Sequence, residues 1–294
     1  MSFNIPEFDV EIIYLNIFND ENRKYILENL MNFTKLKVFD CNTCNLTELP
    51  EYLPISLTTL DISFNKISVL PNLKYLTSLV ELDCSNNNLK KISDELPDTL
   101  ITLDCSNNCL TKLPNLSNSL INLYCDNNIL IELPNLPNSL INLYCDNNIL
   151  IKLPNLPKSL LNLCCSNNNL SFSIKGIPEL PSNLEYFNCE RNKLTELPDL
   201  SSSLIRFHSI SGNLLYQTYY CYQPDSPFTS NEMFLMNINQ TNAKNKAIKK
   251  MKLLDRTLLL EQSAKITMNP RRIKRLLDNL EIDFFDGSFD TLTS

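Results

Sequence analysis

The chain has 294 residues, a formal net charge of −7 and a hydrophobic content of 43%, which is enough apolar material for a buried core. The acidic charge argues against a protein that coats nucleic acid along its whole length, and three glycines leave no room for a glycine-rich phosphate-binding loop. Because His208 is the one histidine, a Ser-His-Asp triad or a multi-histidine metal site would depend on it alone.

Neither a secretory signal nor a membrane span is expected from the sequence. The N terminus lacks a basic start and carries acidic residues within its apolar stretch, and no apolar run reaches the roughly 18 residues that a membrane helix needs. The 11 cysteines are an odd number, and most recur at one position of a repeat, which favours free thiols in a reducing compartment. We therefore expect an intracellular protein, in a host or eukaryotic-type cytoplasm.

Residues 1–34 are predicted to form an N-terminal helical cap. A short apolar segment precedes an amphipathic pattern, for which Asn19 or Asp20 is the expected N-cap. Because the repeat array that follows has an exposed apolar end, it needs such a cover for solubility. A degenerate F-box-like adapter segment is the disfavoured alternative, since the stretch is short for a whole domain of that kind. Four apolar residues are placed on one face of the helix: Ile26, Leu27, Leu30 and Met31.

A repeat runs through residues 35–215, mostly with a period of 20 to 22 residues. It is clearest where 116–135 is followed by a copy, 136–155, that differs only by Pro for Ser117 and Lys for Glu132. A fixed period of this length indicates one structural unit stacked on copies of itself. The core phrase Leu-x-x-Leu-x-Cys-x-x-Asn-x-Leu has leucine-rich repeat spacing, with a worn ninth copy near Leu204. The other eight copies begin at Leu36, Leu57, Leu79, Leu100, Leu120, Leu140, Leu160 and Leu184.

Each repeat predicts a short strand followed by an extended return. Successive strands are expected to form one parallel sheet, with positions one, four and six of each repeat in the core and positions three, five and seven facing outward. The asparagine at position nine is expected to satisfy buried backbone groups, and the proline-rich return should not be helical. The predicted fold class is an α/β solenoid: a leucine-rich repeat horseshoe with a parallel concave sheet, an extended proline-rich convex side and helical N- and C-terminal flanks.

The predicted concave side is acidic and aromatic, and it is the candidate binding surface. Equivalent side chains of neighbouring strands lie about 5 Å apart, a spacing at which like charges destabilise a sheet. Tyrosine is enriched at protein interfaces. We therefore expect a protein or peptide with a basic surface to bind here, although a merely solvated stripe inherited by duplication remains open. The residues at position five are Asp40, Asp61, Asp83, Asp104, Tyr124 and Tyr144, and those at position seven are Asp126 and Asp146.

Cysteine pairs and the single histidine are interpreted as structural. Cys41 and Cys44 form a lone Cys-x-x-Cys without a second pair, so a zinc site is disfavoured. Cys164 is expected to point outward while Cys165 points inward. His208 falls in the worn ninth repeat as a surface or edge residue. No metal, cofactor or small-molecule substrate is expected.

Residues 216–294 are predicted to form a transition loop followed by a basic helical segment. Eleven lysines and arginines against two acidic residues give 241–275 a net charge of +9, and Asn269-Pro270 is a favourable helix start. This segment could be a cap with a solvated basic face, a contact to nucleic acid or an anionic membrane surface, or an autoinhibitor that docks on the acidic side. The sequence leaves these roles open.

The Leu-Pro-x-Leu-Pro linkers of 35–215 resemble the short repeats of bacterial effectors of the Yersinia outer protein M and invasion-plasmid-antigen H families. The frequent asparagine, with cysteine at position six, is also similar to leucine-rich repeat proteins of amoeba-infecting giant viruses. Invasion-plasmid-antigen H ubiquitin ligases carry a nucleophilic cysteine in Cys-x-Asp after their repeats, whereas Cys221 and Asp225 have the wrong spacing. The resemblance therefore implies the scaffold and not the enzyme activity.

Taken together, these patterns predict a non-enzymatic protein–protein interaction module, expected to be a monomer, that binds its partner on the concave face. The alternative is an adapter that recruits substrates to a ubiquitin ligase through a terminal segment. A third class binds nucleic acid or anionic lipid through 241–275. Only that third class predicts a steep dependence of binding on salt.

Overall fold

The computed structural model of the chain describes residues 8–93, 95–171, 176–195, 197–200, 203–208 and 212–213. Within them, ten three-residue strands form one sheet, in which neighbours along the chain are neighbours in the sheet and run parallel. The strands are β1 (Ile12–Tyr14), β2 (Val38–Asp40), β3 (Thr59–Asp61), β4 (Glu81–Asp83), β5 (Thr102–Asp104), β6 (Asn122–Tyr124), β7 (Asn142–Tyr144), β8 (Asn162–Cys164), β9 (Tyr186–Asn188) and β10 (Arg206–His208). The parallel-strand solenoid predicted from the repeat is thus confirmed. The segments predicted at 216–294, including 241–275, Cys221 and Asp225, lie outside the described residues.

Successive repeats are in register, so equivalent positions face one another across the sheet. Between β6 and β7, for example, Leu123 pairs with Leu143 and Tyr124 pairs with Tyr144. The leucines of positions one, four and eleven form one continuous core along the array, in which all of them are buried except the partly buried Leu46. Such a core runs the length of the stack, as expected when each repeat covers the apolar face of the next.

The position-six cysteines point into this core, as predicted, and form no disulfides. Burial raises the pKa of each of these thiols, so they stay protonated, and four of them donate a weak hydrogen bond to a carbonyl oxygen of the next repeat: Cys84, Cys105, Cys145 and Cys165. The Sγ atom of Cys84, for instance, donates to the carbonyl oxygen of Asp104 in the next repeat at 3.3 Å. Burial also raises the pKa of Cys41 and Cys44. In the part of the chain that the structure describes, no group of three potential metal ligands occurs.

The position-nine asparagines hold adjacent repeats together. Asn128 donates from Nδ2 to the carbonyl oxygens of Cys105, Cys125 and Asp126 at 3.0, 3.3 and 3.2 Å. Its Oδ1 accepts from the Leu110 N–H at 2.9 Å. The same pattern recurs at the equivalent residues, which confirms the predicted scaffold role: Asn65, Asn87, Asn108, Asn148, Asn168 and Asn192.

The ninth repeat keeps this arrangement despite its shifted asparagine. Asn213 arrives one residue late, yet it donates to the Cys189 carbonyl at 2.8 Å and accepts from the Leu194 N–H at 3.1 Å. Gly212, with φ of +70°, immediately precedes it. Because glycine enters the left-handed region without steric cost, it allows the chain to make this turn.

A second asparagine recurs at position eight of the repeats, where the backbone has a left-handed conformation. Its residue has φ near +50° in the eight regular repeats, a conformation that asparagine tolerates better than most side chains. Phe64 holds the same conformation with φ of 53°, and its side chain is exposed. The left-handed backbone conformation therefore accounts for the asparagines at this position: Asn86, Asn107, Asn127, Asn147 and Asn167.

Among the described residues before the first repeat are one strand, one α-helix and two 3-10 turns, Leu15–Ile17 and Leu30–Asn32. Strand β1 pairs with β2, and helix α1 spans Asp20–Glu28, where Asn19 Oδ1 accepts from the Asn22 N–H at 2.8 Å. Arg23 links the helix to the preceding turn, since its guanidinium donates to the backbone carbonyl oxygens of Leu15 and Asn16 at 3.1 and 2.8 Å.

One part of the predicted helix is wrong. Ile26 and Leu30 are buried, but Met31 is 53% exposed. The reason is that α1 ends at Glu28 and Leu30–Asn32 forms a 3-10 turn, which rotates Met31 away from the apolar side. The hydrophobic periodicity of the sequence continues past Glu28, where helix α1 ends, and so it predicted one helical face for residues on both sides of that end.

The return segments of the described repeats contain no helix, as their prolines predict. A hydroxyl next to the first leucine of several repeats links them to the repeat before. Ser139 Oγ, for example, donates to the Leu120 carbonyl at 2.6 Å, and Ser159 Oγ donates to the Leu140 carbonyl at 2.6 Å. Within the described ranges, the helices are all too short or too polar to cross a bilayer.

Candidate functional site

The sheet face that bears positions three, five and seven lies opposite the leucine core, and we call it the outer sheet face. All eight predicted binding residues lie on it. The position-five residues are brought together as one in-register column along β2–β7, and Asp126 and Asp146 follow two residues after the tyrosines. We call the four aspartates of this column the acidic stripe: Asp40, Asp61, Asp83 and Asp104.

Each aspartate of the acidic stripe also forms a hydrogen bond with the backbone of its own repeat. Its Oδ1 accepts the N–H two residues further on, as in an Asx turn. The distances are 2.9 Å from Ser63 to Asp61, 2.9 Å from Ser85 to Asp83 and 3.0 Å from Asn42 to Asp40. This structural role was missed from the sequence, although the recurrent Asp-x-Ser and Asp-x-Asn spacing could have revealed it.

The carboxylates of this face are half-buried and close to one another. The pKa of Asp83 is raised, first by burial and then by the charges of Asp104 and Asp61, although hydrogen bonds from Ser85 oppose the rise. Burial likewise raises the pKa of Asp40 and of Asp126. Among the described residues, none of the salt bridges involves a carboxylate of the outer sheet face. The face therefore keeps negative charge that no cation of these residues neutralises.

Replacing Asp83 by asparagine is expected to stabilise the fold at pH 7 by about 0.5 kcal/mol, because the cost of burying a charge and the repulsion between like charges across strands are removed while an Oδ1 acceptor remains. With the folded pKa above its ordinary value of 3.8, ionisation of Asp83 favours the unfolded chain. That penalty is absent below the ordinary pKa and grows as the pH rises through the folded one. Urea denaturation should thus show a gain at pH 7 that disappears near pH 3.

The exposed Asp98 provides the matched control, since Asp98→Asn removes the same charge away from the outer sheet face. At pH 7 this variant should not show the gain in stability that Asp83→Asn shows. An equal gain for Asp83→Asn at both pH values would contradict the electrostatic origin of the effect.

The two tyrosines that continue the acidic stripe stack on each other. The ring centroids of Tyr124 and Tyr144 are 5.1 Å apart, with 22° between the ring planes. Partial burial raises the pKa of Tyr144, so its hydroxyl stays neutral. Aromatic rings beside carboxylates are a combination to which a guanidinium group can bind.

A ladder of amides runs beside the tyrosines at position three. Asn142 Nδ2 donates to Asn122 Oδ1 at 2.6 Å, and Asn162 Nδ2 donates to Asn142 Oδ1 at 2.6 Å. Asn122 in turn donates to Thr102 Oγ1 at 3.0 Å. Sequence reasoning placed position three on this face but overlooked the ladder, which the asparagine shared by three consecutive repeats could have indicated.

In the repeat of Cys164, Asp146 of the preceding repeat supplies the carboxylate that accepts the position-seven N–H, because the cysteine at position five has none. Cys164 occupies position five of the next repeat, and there Asp146 Oδ1 accepts from the Ser166 N–H at 2.7 Å and from the Ser166 hydroxyl at 2.6 Å. In the repeat before, Asp126 Oδ2 accepts from Asn127 Nδ2 at 2.7 Å. The position-seven aspartates therefore combine a structural bond with a place on the outer sheet face.

Beyond Tyr144 the position-five column no longer contains aspartate or tyrosine. Cys164 lies on this face as predicted, but its side chain is buried, and burial raises the pKa of its thiol to about 12. An open depression of about 460 Å³ follows, and Arg206 brings a positive charge to its rim. The other residues that line it are Tyr144, Asn162, Glu185, Tyr186 and Ile205. The acidic part of the face thus extends along β2–β7.

Comparison with known proteins agrees with this architecture. Residues 55–97 match the family described as leucine rich repeats (2 copies). YopM from Yersinia enterocolitica WA-314 is 35% identical with a TM-score of 0.51, covering 63% of this chain and 44% of that one. YopM from Yersinia pestis, a leucine-rich effector protein, is 34% identical with a TM-score of 0.52, covering 62% and 56%.

A third structure, a Shigella effector leucine-rich repeat domain, is 27% identical with a TM-score of 0.44, covering 69% of this chain and 84% of that one. The chain spans about half the length of the two YopM structures. No curated protein matches its sequence. The described residues therefore have the leucine-rich repeat fold, and the chain is similar to bacterial effector proteins that share it.

Proposed function

We propose that the protein is a non-enzymatic interaction module that binds a basic segment of another protein on its outer sheet face, the side that the repeat predicts to be concave. The acidic stripe carries this proposal, because its carboxylates lie in register, half-buried and without a salt bridge in the described residues. The leucine-rich repeat fold is typical of protein-binding modules.

The acidic stripe and the two tyrosines would contact the partner in different ways. Lysine or arginine side chains of the partner would lie along the acidic stripe and relieve the repulsion between its members. An arginine would stack on Tyr124 or Tyr144 while its guanidinium pairs with Asp126 or Asp146. Because the pKa of Asp40, Asp83 and Asp126 is raised, chiefly by burial, a bound cation would favour the charged form of these three carboxylates and release protons.

Several predictions about the setting of this function stay predictions. They are the N-terminal cap at 1–34, the roles of 216–294 and the intracellular location. The adapter role for a ubiquitin ligase likewise stays an alternative without a structural observation to favour it.

Removal of the stripe's charge tests the proposal. The variant Asp61→Asn, Asp83→Asn, Asp104→Asn keeps an Oδ1 acceptor for each backbone N–H, so the fold should remain intact. We expect peptides rich in lysine and arginine, displayed on an array beside glutamate-containing counterparts, to bind the intact chain selectively. Their affinity for the variant should fall at least about tenfold.

An equal number of charges can be removed elsewhere as a control. Glu48, Glu51 and Glu179 are exposed residues outside the outer sheet face, and their replacement by glutamine should leave peptide affinity within about twofold. The proposal would be wrong if the two triple variants bound the basic peptides equally well.

A further inference from the structure

Four isoleucines of the doubled repeat are exposed where the other repeats are polar. They occupy positions ten and twelve, and we call them the isoleucine patch: Ile129, Ile131, Ile149 and Ile151, which are 47, 51, 42 and 43% exposed. In the other regular repeats these positions carry polar residues or a cysteine: Asn45, Thr47, Lys66, Ser68, Asn88, Lys90, Cys109, Thr111, Asn169, Ser171, Lys193 and Thr195.

Backbone hydrogen bonds place the two isoleucine pairs side by side. The Ile149 N–H donates to the Leu130 carbonyl at 3.1 Å, and the Ile151 N–H donates to the Ile131 carbonyl at 3.3 Å. Leu130, which lies between Ile129 and Ile131 in the chain, is fully buried. Since side chains alternate along an extended segment, the isoleucines on either side of it project away from the core and form one apolar surface.

Opposite charges border this surface in the two repeats. Glu132 follows Ile131, and Lys152 stands at the equivalent place after Ile151. Both side chains are exposed, and neither takes part in a salt bridge among the described residues. The two repeats differ at only one further position, so the patch is a near-exact duplicate with one charge reversed.

We propose that the isoleucine patch is where two copies of this chain associate. The two copies are related by a twofold axis that passes between the repeats, at right angles to the direction of stacking. Such an axis brings 116–135 of one protomer opposite 136–155 of its partner. Ile129 then faces the partner's Ile149, and Glu132 faces the partner's Lys152, and both contacts occur twice because a twofold interface is self-complementary.

The charge pattern argues for a second copy as the occupant of the patch. An unrelated partner would need its own matching pair of charges, whereas this chain already supplies both at the required spacing. Four half-exposed isoleucines cover far less than the roughly 800 Å² per partner of a standard interface, so we expect a weak dimer with a dissociation constant of roughly 10 to 100 μM. This association goes beyond the proposed function and differs from the monomer expected from the sequence.

Charge exchange in the full chain tests the proposal. Sedimentation velocity of the intact protein over a range of concentrations should show a reversible dimer. Glu132→Lys and Lys152→Glu should each raise the dissociation constant at least about tenfold, because each places like charges opposite one another in both contacts. An equimolar mixture of the two variants should restore dimerisation, since every facing pair is then opposite in charge.

The apolar contribution has its own matched control. Replacement of Ile129 and Ile149 by serine should abolish the dimer, while Val69→Ser, at a residue that is 71% exposed outside the patch, should leave it unchanged. Urea denaturation of each variant verifies the fold. The proposal is overturned if the intact chain stays monomeric at every concentration, or if the mixture of charge variants fails to associate.

Discussion

Replacement of Asn128 by alanine is expected to lower the free energy of unfolding by about 3 to 5 kcal/mol. The amide supplies four hydrogen bonds that cross from one repeat to the next or close the turn of its own repeat. Its loss leaves buried groups such as the Leu110 N–H and the Cys105 carbonyl without this partner, and each unsatisfied group costs about 1–3 kcal/mol. The measurement is urea denaturation of the intact chain.

Two further variants isolate the cause. Asn128→Asp keeps the Oδ1 acceptor but turns an oxygen toward three carbonyl oxygens, so it should also be strongly destabilising. Asn118→Ala removes an exposed amide nearby and should change stability by less than about 0.5 kcal/mol. If Asn128→Ala were no more destabilising than Asn118→Ala, the inter-repeat role of these asparagines would have to be abandoned.

Replacement of both Tyr124 and Tyr144 by alanine is expected to weaken binding of an arginine-rich peptide about tenfold to a hundredfold. The stacked rings supply rigid contact area and a surface for guanidinium packing. A lysine-rich peptide of the same length should lose less affinity, because a planar guanidinium group stacks on aromatic rings, whereas an ammonium group is attracted to them only as a point charge. Fluorescence anisotropy with both labelled peptides measures the difference.

The control for this double variant is Tyr25→Ala, which removes a partly exposed tyrosine from helix α1 rather than from the outer sheet face. It should leave both affinities unchanged. Equal losses for the arginine-rich and lysine-rich peptides would exclude stacking on the tyrosines as the basis of recognition.

The regular part of the fold could be predicted because one physical pattern repeats many times. The fixed period determines which strands are neighbours, and alternation along each strand places Leu123 inside and Tyr124 outside. The position-nine asparagine was predictable for the same reason, since a polar residue that recurs within an apolar core must satisfy backbone groups.

The details that escaped prediction depend on short-range geometry. The acidic stripe looked like surface charge alone, whereas Asp61 also accepts a backbone N–H. Cys164 was expected to point outward, and its burial depends on how side chains of the neighbouring repeats cover it. Met31 was misplaced because the end of a helix is set by local hydrogen bonds that hydrophobic periodicity does not report. The isoleucine patch was not predicted, because it lies at positions ten and twelve, outside the strands from which the outward positions were derived.

Photo-crosslinking tests the location of the binding surface most directly. A photoreactive amino acid at Glu81, an exposed position-three residue beside Asp83 on the outer sheet face, should crosslink to a bound arginine-rich peptide. The same group at Asn115, exposed in a return segment, should not. Efficient crosslinking from Asn115 with none from Glu81 would show that the partner binds elsewhere and would contradict the proposed function.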